Sequence, residues 1–385
     1  MLGSVSAIGP AAMDAYLPGL PELARDFGVS PSAAQVTVTT YLLGLALGQL
    51  LSGPLSDVHG RRRPLVAGMA VFTVTTLACS LAPSLYVLAG MRLVQGTAAA
   101  VGVAVGRAIV RDLYAGAAGA RYLSRLMMVI GLAPILAPIV GGQLLRFTSW
   151  RGVFVALAVL GLALTAIGAR LLPETLPRER RRAAGLGITL RTFAQLLADP
   201  RFVGFVLIVG LGGGAMIGYV AGSSFVLQDV YGLSPRAFAL VFGVNGLGII
   251  VCGQLNRLLL RWTEPRRILL AGLGASAVAG VGVLAAITAD APLGLVLAPL
   301  FVGVATIGFV MPNATALALT NHPHVAGSAS ALLGTTQFAI AAVVAPLVGI
   351  AGRDTALPLG IALAVLGTAA LVTGIVVPRP RVGAP

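Results

Sequence analysis

The fold class this sequence predicts is an all-α membrane protein, with twelve membrane-spanning helices in two pseudo-symmetric six-helix bundles. Three observations predict it. Of 385 residues, 57% are hydrophobic and 10% charged, against roughly 25% charged in a soluble globule. Apolar runs of about 20 residues, enough to cross a ~30 Å hydrocarbon core as helix, recur along the whole chain. One long polar stretch, 173–200, separates those runs into two sets of six.

Taken in order, the spans are expected near 2–21, 35–56, 65–82, 85–106, 123–145 and 152–172, then 201–226, 236–258, 267–288, 292–312, 326–349 and 356–377. The corresponding domains are 1–172, a linker at 173–200, 201–377 and a tail at 378–385. Orientation follows from arginine placement, since basic residues are retained on the cytoplasmic side. Placing the connections after spans 2, 4, 6 and 8 and the C-terminus inside puts twenty arginines there and five outside, with Arg92 within a span. Both termini are then cytoplasmic, as in a multi-pass protein of a bacterial inner membrane. The run Arg178-Glu179-Arg180-Arg181-Arg182 is expected against anionic headgroups. Span 1 begins almost at Met1 with no basic flank, which reads as an internal start or a span that is short on that side.

The net charge of +14 would suggest nucleic acid if read alone. Its distribution argues otherwise, because the basic residues lie between apolar runs and form no continuous stripe. Cys79 and Cys252 sit in apolar segments and read as small buried residues. No Cys/His spacing suits a metal, and no nucleophile–base pair or phosphate loop suggests an enzyme; no cofactor is expected. Two six-span halves around a central polar loop instead match repeat-built transporters, whose substrate site lies near midplane between the halves.

Ionisable groups inside spans are costly and mark function. Asp14 lies seven residues before Pro21, and Arg92 seven after Leu85. At ~1.5 Å per residue, both sit about 10 Å below the outer surface, a depth at which they can face one water-filled cavity. A static ion pair between helices is the alternative to a titrating, coupled carboxylate. The connection between spans 2 and 3 runs from Gly53 through Asp57 and Gly60 to Arg61, Arg62 and Arg63. Gly60 permits a sharp turn, and Asp57 is suited to the positive end of a neighbouring helix, span 11 being one candidate. In span 5, Pro134 and Pro138 bend the helix, while Gly141 and Gly142 allow close packing.

These stretches resemble the major facilitator superfamily. Gly53 to Arg63 is similar to its loop signature, with Val58 where a basic residue is common. Leu88-x-x-x-Arg92-x-x-Gln95-Gly96 resembles its span-4 signature, and Ala137-Pro138-x-x-Gly141-Gly142 its span-5 antiporter signature. Asp14 to Pro21 resembles the span-1 signature of twelve-span drug/proton antiporters. Arg107 to Tyr114, Pro173-Glu174-Thr175-Leu176-Pro177, Pro138 to Gly142 and Pro323 to Ser330 narrow the resemblance to the bicyclomycin-resistance and chloramphenicol/florfenicol efflux (Bcr/CflA) subfamily. The second half holds only a faint echo of the loop signature, at Gly253 to Arg267. The resemblance implies the major facilitator fold and alternating access, with protons entering as a small, mostly apolar compound leaves. It implies Asp14 as protonation site and Arg92 as its partner. Asp57, Arg61, Arg111 and Asp112 would belong to a cytoplasmic latch.

Tyr16, Tyr41, Asn245 and Gln337 are the candidate cavity residues, although intramembrane polar groups more often bond a neighbouring helix. His322 and His324 flank a proline and read as solvated loop residues. The expected partners are a small-molecule drug or metabolite, protons and the bilayer, with no nucleic acid, and the protein is expected to be a monomer. An uptake symporter or a metabolite exporter on the same fold is the rival reading.

Overall fold

The computed structural model describes residues 2–114, 136–177, 186–320, 325–349 and 355–378, with single positions at 122, 126, 129, 133, 181 and 322 between them. Among the described residues all regular structure is helical. The chain opens with α1 (Leu2–Asp14), a 3-10 turn (Leu17–Gly19) and α2 (Leu20–Asp26). The long α3 (Pro31–His59), α4 (Arg62–Ser80) and α5 (Leu85–Leu113) follow, then α6 (136–144) and α7 (Trp150–Leu171). After α8 (Leu186–Leu197) come α9 (Pro200–Phe225), which ends in a π turn (Val226–Val230), α10 (Pro235–Leu259) and α11 (Pro265–Thr288). The chain closes with α12 (Leu293–Ala305), α13 (Ile307–Thr320), α14 (Ala326–Val348) and α15 (Leu357–Val376).

Local chemistry sets many of these limits. Ser30 and Ser84 accept hydrogen bonds from the N–H groups of Ala33 and Val87, at 3.2 and 3.4 Å, and so start α3 and α5. Pro31 and Pro265 occupy first helical positions, where no donor is lost. Ten helices among the described residues are long and apolar enough to cross a membrane. The expected first span is not one helix. It breaks immediately after Asp14, because Pro18 and Pro21 remove backbone donors from the next turn. Of the expected fifth span, α6 is described; Pro134 lies outside the described residues. The expected tenth span is also interrupted, at Thr306, and extends to Thr320.

Two compact units divide the chain. The first comprises 1–186, 220–243 and 345–354, and the second 187–219, 244–344 and 355–385. In the first unit α3 and α5 touch backbone to backbone. A Cβ on Gly44 would strike the Leu93 carbonyl, and one on Gly96 would strike that of Tyr41. Such contact through small residues is how membrane helices pack closely, and it holds Arg92 against α3. In the second unit, one apolar core joins Phe202, Phe205, Ile208, Leu269, Leu273 and Leu333.

Candidate functional site

Arg92, on the second turn of α5, is completely excluded from solvent. Its Nη1 donates to the Ala12 carbonyl at 3.1 Å and to Gln95 Oε1 at 2.8 Å, and its Nε donates to the Thr37 carbonyl at 3.4 Å. Its guanidinium carbon lies 4.5, 4.0 and 5.6 Å from the ring centroids of Tyr16, Tyr41 and Phe154. A desolvated cation over such rings gains about 2 kcal/mol from each favourable pair. Gln95 is itself held, donating to Thr76 Oγ1 at 2.7 Å. The arginine is thus caged by α1, α3, α5 and α7.

Asp14, the last residue of α1, is also 0% exposed, yet both its carboxylate oxygens are buried without a hydrogen-bond partner. Arg92 Nη2 is buried and unpartnered too. The static ion pair is therefore not what the structure contains, since Arg92 engages the carbonyl two residues earlier. Nor is either group exposed in this arrangement, since both are completely buried. The break in span 1 accounts for both outcomes. It turns Asp14 into a helix end and lets the preceding carbonyl reach the guanidinium.

Two expected cavity residues belong to the same cage. Tyr41 donates to the Gly9 carbonyl at 2.7 Å, Tyr16 hydroxyl pairs with Thr37 Oγ1 at 3.0 Å, and both are fully buried. Asn245 donates to the Tyr219 hydroxyl at 2.8 Å within the second unit, and Gln337 packs over Gly213. Tyr16 and Tyr41 thus belong to the first unit, and Asn245 and Gln337 to the second. A cavity of about 240 Å³ is lined by alkyl groups, among them Ala11, Ala15, Leu136, Val140, Val153 and Leu157. Gly141 sits where a Cβ would run into the Ala15 carbonyl, so α6 lies directly on the break in span 1. Gly142 approaches Ala239 of α10, and Pro138 is buried in α6.

The loop after α3 builds a second polar cluster. Gly60 takes φ +86°, a conformation that favours glycine. Arg61 Nη1 donates to Asp57 Oδ1 at 2.5 Å and to Ser56 Oγ at 2.7 Å, and its Nε donates to Asp112 Oδ2 at 2.9 Å. One guanidinium thereby ties the end of α3 to the end of α5. Asp57 binds Arg61. The carboxylate that serves a helix N-terminus in this cluster is Glu174, from the stretch Pro173-Glu174-Thr175-Leu176-Pro177. Glu174 accepts from the backbone N–H groups of Arg61 and Arg62, at 2.7 and 3.4 Å, where α4 begins. Burial alone would raise the Glu174 carboxyl. The N–H groups of Arg61, Leu176 and Arg62, with the Arg181 cation, outweigh it and hold the group below its ordinary value. Gly53 lies on α3 near this end, and Arg111 is on the last turn of α5, where its side chain lies outside the described positions.

His322 is not a freely solvated loop residue. Its Nε2 lies 3.0 Å from Asp199 Oδ2, and its ring meets Phe202 edge-on at 5.3 Å. His324 lies outside the described residues.

A family model described as the Major Facilitator Superfamily matches residues 2–346. The chain belongs to the Major Facilitator Superfamily. An uncharacterized MFS-type transporter of Bacillus subtilis, YdgK, is 38% identical over 366 residues, covering 94% of this chain and 90% of that protein. A bicyclomycin resistance protein homolog of Haemophilus influenzae is 32% identical over 364 residues, 93% of this chain and 90% of that protein. This second likeness agrees with the Bcr/CflA branch expected from the motifs. The xylose transporter XylE of Escherichia coli, in a partially occluded inward open conformation, superposes with a TM-score of 0.78 at 14% identity, covering 100% and 98% of the two chains. At that identity the likeness is one of fold. As a Major Facilitator protein the chain is a multi-pass membrane transporter of small molecules, not an enzyme.

Proposed function

We propose that this transporter is a proton-coupled antiporter that exports small, mostly apolar compounds, of the bicyclomycin or chloramphenicol class, by alternating access. One observation carries the reading: the Asp14 carboxylate is buried without a partner beside a caged arginine. An unpaired buried carboxylate is expensive, so the group's charge and its exposure must change together. Proton binding then biases one conformation over the other, as coupling requires. The alkyl-lined cavity beside Ala15 suits an apolar cargo, and the printed name of the Haemophilus relative concerns resistance to an antibiotic. On this reading the membrane is the bacterial inner membrane, the arginine-rich end is cytoplasmic and both termini are inside.

Everted vesicles test it. An imposed inside-acid gradient should drive chloramphenicol or bicyclomycin into vesicles bearing the wild type, and collapse of the gradient should release it. Asp14→Asn should lower gradient-driven uptake at least tenfold while leaving expression intact. Uptake by Asp14→Asn at the wild-type rate would remove Asp14 from coupling, and accumulation only in right-side-out vesicles would favour a symporter.

A further inference from the structure

The break in span 1 raises a question of accounting. A helix end leaves carbonyls without intrahelical partners, and within a bilayer such groups must be satisfied by protein. Just after that end, in the 3-10 turn, two carbonyls accept from side chains of a distant helix, the Leu17 carbonyl in addition to the Leu20 N–H. Ser224 Oγ donates to the Leu17 carbonyl at 2.6 Å, and Gln228 Nε2 donates to the Pro18 carbonyl at 3.3 Å. Gln228 also donates to Ser224 Oγ at 3.0 Å, so the two donors form one unit. Ser224 is completely buried. Both belong to the last turn of α9 and the π turn that follows, and π turns in membrane and soluble helices alike recur at functional sites. The same stretch is held twice more, by Gln35 Nε2 to the Ala221 carbonyl at 3.3 Å and by Arg25 with Asp229 at 3.6 Å. All of these residues fall in the first unit.

We propose that Ser224 and Gln228 are positioning residues that keep Asp14 closed off. By satisfying the carbonyls of Leu17 and Pro18 they clamp the segment just after Asp14, and the carboxyl gains access to its surroundings only when this pair lets go. The inference rests on the reading of Asp14 as proton site, but its readout does not.

The test measures access to the carboxyl itself, using the apolar reagent dicyclohexylcarbodiimide on the full chain in proteoliposomes, followed by mass spectrometry of the Asp14 peptide. The Ser224→Ala/Gln228→Ala double variant should label Asp14 at least fivefold faster than wild type, with Gln228→Ala alone giving a smaller rise should the double variant not fold. Ser223→Ala removes a neighbouring buried hydroxyl that bonds nothing, and it should label at the wild-type rate. Equal rates in wild type and the clamp variants would overturn the proposal, as would an equal rise in Ser223→Ala, which would signal general loosening. Faster labelling together with full gradient-driven transport by Asp14→Asn would uphold the clamp and overturn the proton-site reading alone.

Discussion

The two units differ in the kind of polarity they bury. In the first, Asp14, Arg61 and Arg92 are buried charges, and Arg92 is surrounded by carbonyls, an amide and three rings. In the second, the buried polar side chains among the described residues are neutral, and two amide pairs stand out: Asn313 Nδ2 donates to Asn256 Oδ1 at 2.6 Å, and Asn245 donates to Tyr219. The difference teaches a division of labour. Neutral amide pairs glue helices whatever the proton concentration, whereas under the proposed function an unpaired carboxylate beside a caged guanidinium changes its environment with its charge.

Removing the cage's cation should break the contrast most severely. Arg92→Met strands the Ala12 and Thr37 carbonyls and Gln95, and should cost about 3 kcal/mol of stability and abolish gradient-driven uptake; thermal unfolding in detergent and vesicle transport measure the two. A near-silent Arg92→Met would mean that the charge is incidental. Gly96→Ala, which drives a Cβ into the Tyr41 carbonyl, should cost about 2 kcal/mol. Gly253→Ala, with nothing within 4 Å, should leave the melting temperature unchanged or slightly raised.

Smaller effects sharpen the comparison. Asn313→Ala leaves the Asn256 amide without its donor and should cost about 1 kcal/mol, with the pH dependence of transport unaltered. A shifted pH profile would show that the second unit participates in coupling. Glu174→Gln should have a smaller effect than Asn313→Ala, and one that depends on pH. Because the Glu174 carboxyl is held below its ordinary 4.5, its contribution is present above that value and is lost as pH falls through the lowered one. The melting-temperature gap between wild type and Glu174→Gln should therefore be widest near neutrality and close in acid.

Much of this was legible in advance. Apolar runs marked the spans, and the cost of charge in hydrocarbon singled out Asp14 and Arg92. The spacing around Gly60 marked the loop cluster in which Arg61 meets Asp57 and Asp112. Less visible were the partners. Tyr16 and Tyr41 read as cavity residues because they are polar aromatics inside spans, yet their rings face Arg92. The expected span 2–21 runs unbroken through Pro18 and Pro21, and nothing in sequence pairs a carbonyl there with a donor more than 200 residues away. Glu174 was equally hidden, since a carboxylate 113 residues from Arg61 carries no local sign of the helix it caps.

By itself the sequence determined that the chain crosses a membrane many times, which end gathers its arginines and which two charges stand in oil. Those properties belong to single residues measured against a solvent, and they add along the chain. The tertiary structure alone decided that Arg92 would be satisfied by Ala12 rather than Asp14, and that the broken span would be gripped by α9. Such choices depend on how far a helix is rotated and how closely backbones meet at Gly96 and Gly141. Hydrogen bonds form or fail over a few tenths of an ångström, a distance no residue spacing encodes.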